Sequence, residues 1–336
     1  MNMFAHSRRA RVGTLTARAR ARLITLRSHI SLPLLAFLTI VVLLGVNFVA
    51  VRFSNLELPP FWGAALRFII ASFVLFIIVI FKRLPLPKGM GLVGATLFGI
   101  LVFGATYGFV YWALLHVSSG MAAVTFATIP LITILLAVSL KLERLTWRSL
   151  FGAVLVLIGI GVVFQEQLQA DVPLLSLVVL LLGAFSGALS GIVIKRFPKS
   201  HPISTNAVAM AIGSALLILT SLGLGEPWRL PTLPVTWAAL GWLIMSTSVA
   251  FILMVWLLSK WSASATSYST VLQPLVTVAV ASWLAGEQVT LMFALGGAFA
   301  LIGVYVGALS GQTERNIEKP ATSEPARPQV RASRTA

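Results

Sequence analysis

Two stretches of the chain decide its fold: Met121-AAVTFATIPLITILLAVSLKLERLT-Trp147 and Ala265-TSYSTVLQPLVTVAVASWLAGEQVT-Leu291. At a constant offset of 144 positions Pro130 falls on Pro274, Leu131 on Leu275, Thr133 on Thr277, Glu143 on Glu287 and Thr146 on Thr290, with no gap. Each copy is a long apolar segment with a proline in its middle and a glutamate at its end. An interrupted helix at matching places in two halves of a chain is a pointer to the solute site of a repeat-built membrane carrier.

The rest of the sequence agrees with a membrane setting. The chain has 336 residues, of which 58% are hydrophobic and only 10% charged, against about 25% charged in an average soluble domain. Apolar runs long enough to cross a bilayer recur between Ser31 and Ser310. Ten spans are expected, near 33–53, 60–81, 91–114, 120–141, 147–165, 173–195, 204–224, 236–258, 264–285 and 290–310. The net charge of +16 is concentrated in residues 1–30 and in short loops. It therefore reads as a topology signal, and nucleic acid is not an expected partner. Lys82, Arg83, Lys88, Lys141, Arg144, Arg148, Lys195, Arg196, Lys199 and Lys260 all fall on the side of the basic N-terminal tail. That places both termini in the cytoplasm and makes the protein multi-pass in the cell (inner) membrane. The arginine-rich first 30 residues also suit an organellar transit peptide. The absence of cysteine excludes disulfides, thiol catalysis and cysteine-based metal sites.

The offset of 144 also places Trp112 on Trp256, Ser118 on Ser262 and Gly152 on Gly296. Two copies with an odd number of spans each must enter the membrane from opposite sides. The expected fold is thus an all-α polytopic membrane protein of ten transmembrane helices, built as two inverted five-helix repeats. The divisions are a cytoplasmic tail at 1–30, a first repeat at 31–168, a second at 169–310, and a polar, disordered cytoplasmic tail at 311–336.

The chain resembles the drug/metabolite transporter superfamily, EamA type, over residues 33–310. The resemblance rests on Gly45-Val-Asn47, Arg52, Arg67-Phe68, Pro130-Leu131, Glu143-Arg-Leu-Thr146 and Gly152. In the second half it rests on Gln273-Pro274-Leu275, Gly286-Glu287 and Gly303. It implies a ten-helix secondary transporter without a bound cofactor, and leaves the solute open.

The residues suggest where the solute would sit. No carboxylate lies near the middle of any span, which argues against a buried acid relay. Glu143 and Glu287 are either gates at opposite mouths or structural acids near helix starts. Arg67 either snorkels to the outer surface or pairs with a carboxylate-bearing solute. Pro130 and Pro274 each free a backbone carbonyl, and as a symmetric pair they are expected to line a cavity. The alternative is a packing kink whose hydroxyls bond back to their own helix. The cavity candidates are Asn47, Arg67, Tyr107, Tyr111, Trp112, Thr128, Pro130, Ser190, Trp256, Tyr268, Gln273 and Pro274. Glycines at 183, 187 and 191, at 104 and 108, and at 303 and 307 read as helix-packing faces, with homodimerisation through the tenth span as an alternative.

The expected function is alternating-access movement, in the export direction, of a small amino acid or related metabolite, with the solute and the lipid bilayer as partners. No catalytic residue, metal or cofactor is expected. A nucleotide-sugar or phosphorylated-metabolite carrier would need more basic residues than Arg67. A membrane-embedded enzyme of lipid-linked substrates would need clustered acids or histidines at one interface.

Overall fold

The computed structural model describes residues 32–142, 146–167, 173–285, 291–304 and 306. Every regular element among them is helical. They are α1 (Leu32–Ser54), α2 (Pro60–Phe81), α3 (Met90–Phe98), a π-helical segment (Gly99–Thr106), α4 (Tyr107–Ala113), α5 (Ser119–Phe126) and α6 (Ile129–Ser139). There follow α7 (Trp147–Gln167), α8 (Leu174–Arg196), α9 (Pro202–Gly223), α10 (Pro234–Leu258), α11 (Ala263–Ser267), α12 (Ser269–Ala285) and α13 (Leu291–Val304). Among the described residues seven helical stretches are long and apolar enough to cross a bilayer: α1, α2, Met90–Ala113, Ser119–Ser139, α8, α9 and α10. The chain is a multi-pass membrane protein. The basic N-terminal tail, the polar C-terminal tail, Glu143 and Glu287 lie outside the described residues.

Helix ends show why the chain stops where it does. Three turns close with the same pair of bonds, in which a left-handed residue lets the next amide reach back five positions. Leu84 N donates to Val79 O at 2.9 Å, Leu142 N to Ala137 O at 2.8 Å and Glu226 N to Ser221 O at 3.0 Å. The left-handed residues are Arg83, Lys141 and Gly225. Only the last is a glycine. Ser118 and Ser262, 144 positions apart, cap α5 and α11 alike, their hydroxyls accepting from Met121 N and Ala265 N at 3.2 and 3.0 Å. Thr133 and Thr277 also match, donating to Ile129 O and Gln273 O at 2.8 and 2.9 Å.

The third span is not the uninterrupted α-helix expected over 91–114. Its centre widens into the π-helical segment. The Leu101 carbonyl there receives the hydroxyls of Thr106 and of Ser186 on α8, each at 2.9 Å. A widened turn needs such outside partners for its carbonyls. Gly99 and Gly213 make the crossing with α9 close: a Cβ on Gly99 would stand 2.9 Å from Ala209 Cα.

The two doubled segments are both interrupted, but not at equivalent places. The first breaks at Ala127–Thr128, so Pro130 enters the first turn of α6, where its missing N–H is no loss. The second breaks at Tyr268, six residues ahead of Pro274, which lies inside α12.

Packing pairs follow a pattern. α2 lies on α9, α7 on α13, and α5–α6 on α11–α12; α1 touches α10 and α12, while α8 touches the third span and α6. Gly303 is spent within the chain, since a Cβ there would lie 2.6 Å from Gly152 O on α7.

One end of the bundle is tied by two reciprocal acid caps. Glu57, in the turn before α2, accepts from Thr232 N and Leu233 N at the start of α10, at 3.1 and 2.9 Å, and from the Thr232 hydroxyl. Glu226, in the loop before α10, accepts from Phe61 N and Trp62 N at the start of α2, at 3.2 and 2.8 Å. Each carboxylate thus meets the positive end of the other's helix. Trp62 stacks on Trp228 with ring centroids 4.8 Å apart. The Thr232 hydroxyl, the Leu233 amide and the Thr232 amide hold the Glu57 carboxyl down at about 2, against an opposing desolvation.

Candidate functional site: a cavity without charge on its wall

A cavity open at its mouth, with room of about 120 Å³ for the centres of water-sized spheres, lies where the helices converge. α1 contributes Leu44, Asn47, Phe48 and Val51, and the third span Phe98, Val102, Thr106, Tyr107 and Val110. The broken segments contribute Phe126, Ile129 and Thr133 on one side, and Thr266, Ser267, Thr270 and Gln273 on the other. α8 adds Gly187, Ala188, Ser190 and Gly191, and α10 adds Phe251, Met254 and Leu258. Among the described lining residues there is no Asp, Glu, Lys, Arg or His.

The hydroxyls on this wall are committed. Ser190 donates to Gly187 O, Thr266 to Ser262 O, Ser267 to Ser264 O and Thr270 to Ser267 O, all within 2.7–2.9 Å. The amides are not. Asn47 Oδ1 accepts from Trp242 Nε1 at 3.1 Å and from Ser246 Oγ at 2.7 Å. An indole N–H can only donate, so this contact fixes which end of the amide is oxygen. Asn47 Nδ2 and Gln273 Nε2 are buried and have no hydrogen-bond partner among the described residues. Both side chains line the cavity, and their helices pack closely: a Cβ on Gly45 of α1 would lie 3.0 Å from Gln273 O of α12, and Thr277 Oγ1 donates to Gly45 O at 2.7 Å.

Behind the wall lies Arg67, fully buried rather than snorkelling. Its Nε donates to Thr247 Oγ1 at 2.7 Å, its Nη2 shares that oxygen, and its Nη1 reaches the Tyr111 hydroxyl at 3.4 Å. The guanidinium carbon stands 4.9 Å from the centre of the Tyr107 ring and 5.0 Å from that of Phe68. Phe68 and Tyr107 pack edge to face on each other, and Phe103 and Phe251 buttress them, so the Tyr107 ring that lies against the charge is also part of the cavity wall.

Of the residues expected on the wall, Asn47, Tyr107, Ser190 and Gln273 are there. Arg67 and Tyr111 form the layer behind. Pro130 and Pro274 are buried in helix packing, off the wall. The residues that face the space are their neighbours Ile129, Thr133, Thr270 and Gln273, about one turn or less away. Thr128 bonds back to Thr125 O at 2.7 Å, as a packing kink requires. Tyr268 is buried at the α11–α12 break, and its hydroxyl lacks a partner among the described residues. Trp112 packs on the His116 ring at 4.8 Å. Trp256 lies in a separate groove with Leu32, Thr39 and His201. The matched tryptophans therefore do not form symmetric cavity walls.

Sequence reasoning missed Thr106, which the π segment turns inward, and misread Gly191. Both Gly187 and Gly191 line the cavity, but a Cβ on Gly187 would still touch Ile129 and Thr106 at 3.6 Å, whereas one on Gly191 would meet no atom within 4 Å. Their four-residue spacing identifies a small face without saying what lies opposite it.

A helical membrane bundle around a largely apolar cavity with a few polar groups and no charged side chain on its described wall is the build of a solute carrier. The model of the EamA-like transporter family matches residues 31–165 and again 174–308, so the chain belongs to that family. It is a transporter of the drug/metabolite superfamily, not an enzyme. Relatives include the transporter YyaM of Bacillus subtilis (strain 168), 28% identical over 77% of this chain and 88% of that one. A probable amino-acid metabolite efflux pump of Escherichia coli (strain K12) is 27% identical over 80% and 92%. The inner membrane transporter YedA of the same strain is 29% identical over 82% and 92%. A crystal structure superposes with a TM-score of 0.65 at 20% identity, over 83% of this chain and 97% of the other, a likeness of fold alone.

Proposed function

We propose that this transporter moves a small amino acid or related metabolite out of the cell by alternating access. In this reading ten spans cross the inner membrane as two inverted five-helix repeats, 31–168 and 169–310, with both termini in the cytoplasm. The observation that carries the reading is the cavity: helices from both halves surround it, and its described wall is mostly apolar, with a few hydroxyls and amides and no charged side chain.

The repeat is supported by local detail. Ser118 and Ser262 are equivalent caps, and Thr133 and Thr277 make equivalent back-bonds. Under the repeat the second, fourth and fifth spans correspond to the seventh, ninth and tenth, and each pair is in contact. The first span's contacts with the eighth and ninth are mirrored by the sixth span's with the third and fourth. Two halves related in this way can exchange conformations and so expose one site to each side in turn. The reciprocal caps of Glu57 and Glu226 lie at the end assigned to the outside by the Lys and Arg distribution, and would hold that end shut. A phosphorylated or nucleotide-linked solute fits the described wall less well, because no lysine or arginine is on it.

The name of the Escherichia coli relative supports the choice of solute and direction. The test is flux in proteoliposomes containing the full chain, with a panel of radiolabelled apolar amino acids and the corresponding carboxylic acids. Saturable movement above empty liposomes is expected. Leak rates across the whole panel would defeat the proposal.

A further inference from the structure

We infer that the solute is held through a carboxylate, seated on the amide N–H groups of Asn47 and Gln273 and drawn there by the buried charge of Arg67. The inference rests on the transport reading above and names the chemical group which that same cavity recognises.

Three observations converge on it. First, among the described residues the only lining side chains with a buried polar atom lacking a partner are Asn47 and Gln273, and in both the orphaned atom is the amide nitrogen. Buried donors are normally satisfied, so two orphans on one cavity call for an acceptor from outside the chain. The Trp242 contact fixes the orientation of Asn47, so its orphan cannot be removed by exchanging oxygen for nitrogen. Second, Arg67 is fully buried with two hydroxyl partners, Thr247 and Tyr111, and no carboxylate paired to it among the described residues. A charge so placed is costly unless something compensates it. Tyr107, 4.9 Å from the guanidinium, is itself on the cavity wall. The positive field therefore reaches the cavity through one aromatic ring, in a setting where water screens little. Third, the described wall carries no acid, so nothing there neutralises that field or recognises a bare cation.

Donors without acceptors, under a positive field, select an anionic oxygen. A monocarboxylate, with or without an α-amino group, satisfies both amides. The corresponding carboxamide offers one oxygen and no negative charge, and leucinamide is left with its ammonium alone. An organic cation meets repulsion and no counter-ion. Arg67 acts here as a positioning residue, through Tyr107 and the field, since it does not itself reach the wall.

The experiment compares acids with their amides in proteoliposomes of the full chain. The probes are leucine and leucinamide, and 4-methylpentanoate and 4-methylpentanamide, measured by flux and as competitors of one another. The acids are expected to be favoured over the amides by roughly tenfold or more, the worth of a charge-assisted hydrogen bond. Asn47→Leu and Gln273→Leu should shrink that ratio by weakening the acids alone. Arg67→Gln should bring it close to one, and Arg67→Lys should restore part of it. Any variant that fails to give a monodisperse peak in detergent is set aside, and Gln273→Leu and Arg67→Lys then decide. A merely structural Arg67 would lower all four fluxes together and leave the ratio intact, which overturns the inference. Amides moving as well as acids in the wild type overturns it too, while the transport reading stands. Leak rates for every probe end both.

Discussion

The close crossing of α9 with the third span offers a test with a sign that can be worked out in advance. Gly213 on α9 faces the π-helical segment. A Cβ added there would lie 2.8 Å from Gly99 O and 2.9 Å from the Phe103 carbonyl carbon, and closer still to Phe103 Cβ. These are backbone or near-backbone atoms, so no rotamer change relieves the clash, and α9 must retreat by roughly half an ångström or more. Overpacking of this kind costs about 1–3 kcal/mol. Replacing a helical glycine by alanine gains at most about 1 kcal/mol. Gly213→Ala is therefore expected to be net destabilising by about 1–2 kcal/mol. Gly241 on α10 is the control: it is also within a spanning helix, and a Cβ there meets nothing within 4 Å. Gly241→Ala should be neutral or stabilising by up to about 1 kcal/mol. The assay is the midpoint of heat-induced loss of the monodisperse peak in detergent, with both variants beside the wild type. The retreat of α9 also shifts Thr106 and Tyr107, so Gly213→Ala should lower flux where Gly241→Ala does not. Gly213→Ala melting at or above the wild-type midpoint would refute the reasoning, because α9 would then have room to spare at this crossing.

Other consequences are as direct. Arg83 is left-handed at the end of α2, where Gly225 holds the same place after α9. A left-handed side chain costs roughly 1–2 kcal/mol, so Gly225→Ala should lower the melting midpoint and Arg83→Gly should raise it or leave it level. Gly191 lines the cavity with open space at its Cβ, so Gly191→Leu should keep wild-type thermal stability and lose solute flux. A leucine variant with normal flux would place the solute elsewhere. The Glu57 carboxyl is lowered from 4.5 to about 2 in the folded protein. A lowered pKa contributes stability that is complete above about pH 4.5 and is lost as the pH falls towards 2. Glu57→Gln should thus melt below wild type at pH 7, with the gap narrowing as the pH drops through that window. A gap independent of pH would mean that the charge is not what ties α10 to the turn.

Some of this was legible without coordinates. Apolar run length and sparse charge require a bilayer, because no aqueous core could absorb so much apolar sequence. The 144-residue offset pairs Ser118 with Ser262 and Thr133 with Thr277, and local chemistry then gives each pair the same hydrogen bond. Caps and back-bonds involve neighbours within four residues, so they can be read from the chain alone. The doubled prolines lie in two interrupted segments beside a cavity. They did not mark its wall, which falls to Thr133, Thr270 and Gln273.

What only the tertiary structure decided is which face of each helix looks inward. In water, an apolar stripe announces the core. In lipid, the outside of a helix is as apolar as its packed side, so the pattern carries no such contrast. Gly191 therefore reads as part of a packing face until the empty space beside it is seen. The depth of Arg67 is equally invisible, because a guanidinium one or two turns inside a helix can snorkel or be buried. Thr247 and Tyr111, 180 and 44 residues away in sequence, settle that choice. Composition and periodicity define a membrane bundle with two related halves. The cavity and its two unsatisfied amides exist only once distant segments are packed together, since a donor is orphaned only by what fails to reach it.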